Sequence, residues 1–210
     1  MIVDLTQPIR PGMTLVPGDP PVRMRPALTL ADDGVAVTGV ELGSHTGTHV
    51  DAPAHLVPGG RTVDQITPTE LTGEALVVRV DRPEPDEVIT VARLGVLPDE
   101  VPAIVLVATG WDRRAGDDAT LRHPVLDEAV AVALRERGMR VLGVDTLSPD
   151  RTLQQGPLDL PVHATVLGAD GLIVENLVGL VDLPARVRVG VFPLPLAGGD
   201  AAPARAVAWV

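Results

Sequence analysis

Four residues able to bind a divalent cation fall within eleven positions: His45, His49, Asp51 and His55, in the run Ser44-His45-Thr46-Gly47-Thr48-His49-Val50-Asp51-Ala52-Pro53-Ala54-His55. All four positions are odd. In extended backbone, where successive side chains alternate sides, they share one face. A helix would pair only His45 with His49, and Thr46, Gly47, Thr48, Val50 and Pro53 all oppose one. A straight strand would hold His45 and His49 roughly 13 Å apart, too far for one ion, so the segment must bend. Gly47, with no Cβ, is where a bend costs least.

Imidazole nitrogen and carboxylate oxygen suit Zn²⁺, Mn²⁺ and Fe²⁺, and two histidines with one aspartate leave coordination positions open. An ion so held lowers the pKa of its water to about 7 and polarises a carbonyl. His55 then reads as a general acid and base, with ligand or structural donor as its alternatives. The plain competing account is four histidine and aspartate side chains in ordinary hydrogen bonds; the local density of ligands argues against it.

Two distant residues extend the set. Glu175 closes the apolar run Leu172-Ile173-Val174, and a carboxylate ending a buried strand needs a cation or an arginine. His163 precedes it by twelve residues, near the start of a short helix. Each alone reads equally well as a structural residue; with the first segment they read as further ligands. His123, before Pro124, reads as a loop residue outside the site. Asp19, in Pro17-Gly18-Asp19-Pro20, reads as a turn residue, and Asp145 as a strand-end hydrogen-bonding residue. Ser44 and Ser148 lack a nucleophile-elbow context, and no phosphate-cradling glycine loop occurs.

The elements that must position these residues are short Val/Ile/Leu-rich runs bounded by Gly, Pro or charge: 75–80, 103–108, 140–144, 172–174 and 187–192. Their length and β-branching predict buried strands of a mixed sheet. Leu126, Ala129, Val130, Ala133 and Leu134 recur at helical spacing, which predicts a helix over 125–137 between Pro124 and Gly138. A second short helix is predicted over 160–167, with Pro161 in its first turn and Gly168 past its end. Prolines and glycines are dispersed, with no linker or repeat, so residues 1–210 are expected to form one α/β domain.

Composition removes other functions. The net charge is -11 and every cationic side chain besides histidine is arginine, with no cluster to follow a phosphate backbone, so nucleic acid is not an expected partner. There is no cysteine, hence no disulfide, thiolate metal site or cysteine nucleophile. Trp111, Phe192 and Trp209 are the aromatics, too few for base stacking or an aromatic cage. No apolar run reaches eighteen residues and the start has no basic leader, so the expectation is a soluble, cytoplasmic protein away from membranes.

At His45-Thr46-Gly47-Thr48-His49-Val50-Asp51-Ala52-Pro53-Ala54-His55 the chain resembles the metal-dependent cyclase family, which includes bacterial kynurenine formamidases and isatin hydrolases. The likeness continues through Pro17-Gly18-Asp19, Thr109-Gly110-Trp111, Gly143-Val144-Asp145-Thr146, His163 and Glu175-Asn176-Leu177. The resemblance implies a swivelling β/β/α domain, assembled as a homo-oligomer. It implies that His45 and His49 bind one metal and His163 a second, that Asp51 and Glu175 contact both or support them, and that His55 carries protons. Isatin hydrolase-like members use a single manganese, so one or two zinc or manganese ions per subunit are expected. One departure concerns substrate: kynurenine formamidases carry tryptophan just before the Pro-Gly-Asp turn, where this chain has Val16. Stacking on an aromatic substrate would then fall to Trp111 or to a neighbouring subunit.

The expected activity is hydrolysis of a carbon–nitrogen bond in a small amide, formamide or lactam. Activated water attacks the carbonyl, the ion stabilises the oxyanion, and His55 delivers a proton to the leaving nitrogen. The rivals are a cyclase or lyase working through a metal-stabilised enolate, and a non-catalytic metal-binding protein.

Overall fold

The structure, a computed structural model, describes residues 1–152 and 158–210. Its strands in chain order are β1 (Ile2–Asp4), β2 (Arg23–Leu28), β3 (Val37–Glu41), β4 (His49–Asp51), β5 (Thr72–Arg79), β6 (Val88–Ile89), β7 (Ile104–Ala108), β8 (Val125–Leu126), β9 (Val141–Val144), β10 (Leu172–Glu175), β11 (Arg186–Pro193) and β12 (Ala201–Trp209). The α-helices are a single turn α1 (Leu30–Asp33), α2 (Glu128–Glu136) and α3 (Pro161–Leu167).

Eight strands form one sheet in the order β1-β12-β11-β5-β7-β9-β10-β4, and β4 also pairs with β12, so the sheet closes into a barrel. β5, β7, β9 and β10 run parallel; the other pairs of the barrel are antiparallel. The mixed α/β domain expected from the short apolar runs is therefore present, and all five predicted strands appear.

Strand β7 shows why these runs are continuously apolar. Leu106 and Ala108 point into the barrel with Leu172, Val174, Val187 and Ala206. Val105 and Val107 point outward, where they pack with Leu142 and Ile173 against Val130 and Leu134 of α2 and Val162 and Val166 of α3. A strand covered on both faces leaves no place for a polar residue.

The predicted helix over 125–137 begins three residues later than expected. Val125–Leu126 instead forms β8, paired with β6, and Asp127 caps the helix by accepting from Ala129 N at 2.9 Å. Cap chemistry outweighed the Pro124 start signal. The helix over 160–167 is present with Pro161 as its first residue. Among the described residues no helix is long and apolar enough to cross a membrane.

The extended reading of 45–55 needs correction. Only His49–Asp51 is strand; Gly47 takes a left-handed φ of 65°, and Pro53–His55 is a 3₁₀ turn. The bend falls where the sequence placed it, but a second turn after Ala52 swings His55 back toward the ligands.

Candidate metal centre

The site is built on the outer, helix-covered face of the barrel. In β4, Val50 points into the barrel core, so His49 and Asp51 point outward together. Antiparallel register sets Glu175, the last residue of β10, opposite His49. His163 reaches the same point from the first turn of α3. The ligands thus gather beyond the carboxyl end of a parallel strand, where α/β sheets place their sites.

Gly47 turns the preceding segment so that His45 Nδ1 lies 3.2 Å from His49 Nε2 and 2.8 Å from Asp51 Oδ1. His49 Nε2 lies 3.2 Å from the same oxygen. The other oxygen, Asp51 Oδ2, faces His163 Nε2 at 3.6 Å, and Glu175 Oε1 faces that nitrogen at 3.3 Å. Glu175 Oε2 lies 3.3 Å from His49 Nε2. Two ligand sets result, His45/His49/Asp51 and Asp51/His163/Glu175, with one oxygen of Asp51 in each.

Each imidazole is locked from behind. His49 Nδ1 lies 2.8 Å from the carbonyl of Gly47, which can only accept, so Nδ1 carries the proton and Nε2 presents its lone pair. His163 Nδ1 donates to Asp150 Oδ2 at 2.7 Å. Asp150 also accepts from the backbone amides of Val162 and His163, so one buried carboxylate caps α3 and orients the ligand. His45 Nε2 donates to Asp200 Oδ2 at 2.9 Å. Outer partners of this kind raise ligand basicity and fix ring orientation.

Both oxygens of Asp51 and Oε1 of Glu175 are buried without a hydrogen-bond partner. A buried carboxylate left unpartnered is costly, by several kcal/mol in order of magnitude. A divalent cation removes the cost, and nitrogen and oxygen donors at these separations fit one.

The proton equilibria agree. Burial pushes His45, His49 and His163 toward neutrality, yet all three are held above the ordinary histidine value: His45 and His49 mainly by Asp51, His163 by Asp150, Asp51 and Glu175. Burial pushes Asp51 upward, and the facing imidazoles bring it well below the usual carboxylate range. Glu175 is also held low, by His163 and His49, against burial and the neighbouring charge of Asp51.

His55 completes the centre without joining either inner set. Its ring lies 4.2 Å from that of His45 and 5.7 Å from that of His163, and its Nδ1 is 3.2 Å from Asp200 Oδ2. A cavity of about 260 Å³ opens beside it, bounded by Val16, Leu158, Leu160, Asp19, Ser148 and Arg151 among others. Asp19, read from sequence as a turn residue, does close a turn onto Val16, and its carboxyl, pushed up by burial, also faces this cavity.

Trp111 is buried at the start of a 3₁₀ turn with Arg114 stacked on its ring, and it is not among the residues that line this cavity. Val16 is. His123 is buried, donating Nδ1 to the Pro124 carbonyl, and belongs to neither ligand set. Asp145 gathers Thr109 N, Thr109 Oγ1 and Gly110 N at the ends of β7 and β9, the strand-end role read from sequence; burial raises its pKa to about 6.

Paired imidazole–carboxylate sets on a closed mixed barrel, open to a small cavity, define the architecture of a metal-dependent enzyme. Comparison with known proteins agrees: the Cyclase family model matches residues 3–151. A kynurenine formamidase of Salinibacter ruber is 31% identical over 214 residues, covering 98% of this chain and 96% of that protein. Isatin hydrolase A from Ralstonia solanacearum superposes with a TM-score of 0.85 at 29% identity, over 99% of this chain and 91% of that one. A structure described as a predicted metal-dependent hydrolase from Bacillus stearothermophilus gives 0.79 at 29% identity, over 99% and 97%. The chain belongs to the Cyclase family.

Proposed function

We propose that this protein hydrolyses the carbon–nitrogen bond of a small amide, formamide or lactam at a centre of two divalent ions, zinc or manganese. The observation that carries the reading is the set of buried, unpartnered oxygens of Asp51 and Glu175 facing three imidazole nitrogens whose opposite N–H groups are already engaged. His45, His49 and Asp51 would hold one ion, and Asp51, His163 and Glu175 the other. Bound there, the ions supply Lewis acidity toward a carbonyl and toward a water. The chain's own part is positional and protonic: Val16, Leu158 and Leu160 exclude water around the acyl group, and His55 moves a proton to the departing nitrogen.

The similarity to kynurenine formamidase and isatin hydrolase supports amide chemistry, since those proteins act on a formamide and a lactam. Among the described residues the rings that line the cavity are the imidazoles of His45, His55 and His163, with no Phe or Trp beside them. Turnover of a panel of aliphatic and aryl formamides and lactams, in water enriched in heavy oxygen, tests the proposal. One labelled oxygen should enter the acid product per turnover, and His55→Ala should lose about 10²–10⁴-fold in kcat. Product without label would replace hydrolysis by the enolate chemistry of a cyclase or lyase.

We also propose a homo-oligomer. The β2–β3 hairpin projects Met24, Leu28, Val37 and Val40 to the exterior, an apolar surface that a second copy would cover. Light scattering during gel filtration should give a multiple of 21.9 kDa; a monomer would remove this part.

A further inference from the structure

We infer that Asp200 is a positioning residue that sets the protonation pattern of two imidazoles at once, the ligand His45 and the proton carrier His55. A single oxygen, Oδ2, lies 2.9 Å from His45 Nε2 and 3.2 Å from His55 Nδ1. A carboxylate oxygen only accepts and has two lone pairs, so both ring nitrogens carry their protons toward it. For His45, Nδ1 is then the nitrogen left to an ion, which would replace its 2.8 Å contact with Asp51 Oδ1. For His55 the same proton placement leaves Nε2 as the basic nitrogen. Neutral histidine in water prefers its proton on Nε2, so His55 is held in the minor form, and Asp200 is the group that holds it there.

The carboxylate is well placed to do this because it is fixed to the strand pair that carries the ligands. The Asp200 carbonyl accepts from Ala52 N at 2.9 Å, and the next residue, Ala201, pairs with Asp51 across β12 and β4. Neighbouring backbone is pinned again where Val63 N donates to the Gly199 carbonyl at 2.8 Å. The backbone that carries Asp200 is therefore held to the barrel seam, and its carboxylate reaches both imidazoles from that fixed point. The same three side chains could instead be read as an outer cation seat. That reading would make His45 a bridging imidazolate that binds ions through both nitrogens and would remove the Nε2–H that Asp200 accepts.

This coupling rests on the proposed hydrolytic role of His55, and the experiment separates the two. In zinc-loaded protein labelled with ¹⁵N, long-range proton–nitrogen spectra should show His55 protonated at Nδ1 and His45 at Nε2. In Asp200→Asn, a near-isosteric change, His55 should revert to the Nε2–H form. Zinc affinity, measured by chelator competition, should weaken about 10- to 100-fold. At saturating zinc, kcat should fall by a comparable factor with KM little changed, and Asp200→Glu should recover part of the loss. An Nε2–H form of His55 in the unmutated protein overturns the inference without any variant. So does an Asp200→Asn protein whose spectra and zinc affinity match the parent, or one whose lost activity merely tracks a lowered melting temperature. If the unmutated protein turns over no amide or lactam, the hydrolytic reading fails, while the spectra and the zinc affinity still decide the role of Asp200.

Discussion

At the scale of single residues, the candidate centre gives each of three imidazoles a partner on its far side: the Gly47 carbonyl behind His49, Asp150 behind His163, Asp200 behind His45. Asp150 has two duties, since it also accepts the first amides of α3. Asp150→Ala should therefore weaken binding of one ion about 10- to 100-fold and cost about 1–3 kcal/mol of stability, read by metal titration and by the urea midpoint. A second consequence concerns protons. Without metal, Asp51, Glu175 and Asp150 raise the proton affinity of His49 and His163 above the ordinary histidine value, against their burial. Metal must compete with those protons. Calorimetric titration in two buffers of different ionisation enthalpy should report net proton release at pH 7, and affinity should fall as pH is lowered. The clustered residues themselves were legible because all six, His45, His49, Asp51, His55, His163 and Glu175, are histidines or carboxylates in a telling place, four of them at odd positions in one segment. Asp150 and Asp200 were not. An aspartate in a loop looks like any other until the fold decides what stands behind it.

Among the elements, the decisive one is the bend before β4. Gly47 holds a φ of 65° and offers its carbonyl to His49. In Gly47→Ala, the added Cβ would stand 3.3 Å from Met13 Cε, a flexible tip, so the cost lies chiefly in the left-handed backbone, about 1–2 kcal/mol. Denaturant midpoints should show that loss, together with a several-fold weaker metal affinity as the carbonyl shifts. The buried parallel strands could be read from sequence because each is a bounded β-branched run. Strand β12 could not. Its Ala201-Ala202-Pro203-Ala204-Arg205 start has low strand propensity, and only pairing on both sides, with β11 and β4, makes it the longest strand of the barrel. Tertiary contact, not local preference, specifies it.

For the whole molecule, the ligand cluster sets how stability follows pH. Histidines whose folded pKa is raised stabilise the fold fully below their unfolded value of about 6.5, and that contribution is lost as pH rises through the folded value. Asp51 and Glu175, held low, contribute in the opposite sense: fully above about 4.5, lost only as pH falls through their folded values. Metal-free protein should then lose melting temperature from pH 6.5 upward. Zinc-loaded protein should instead hold or gain over the same range, because deprotonated ligands bind more tightly. Melting curves with and without chelator between pH 6 and 9 check both signs.

The closure of the barrel by its final strand has a consequence during synthesis. Ala201 pairs with Asp51 and Pro203 with His49, so β4 and β10 emerge from the ribosome long before the segment that seals them. Until then β4 and β11 each keep an open edge, the condition under which nascent chains associate with one another. A version ending at Asp200 should accumulate as inclusion bodies rather than as a weakened enzyme. The late arrival of β12 makes solubility, and not only activity, depend on a strand translated after the rest of the barrel it seals.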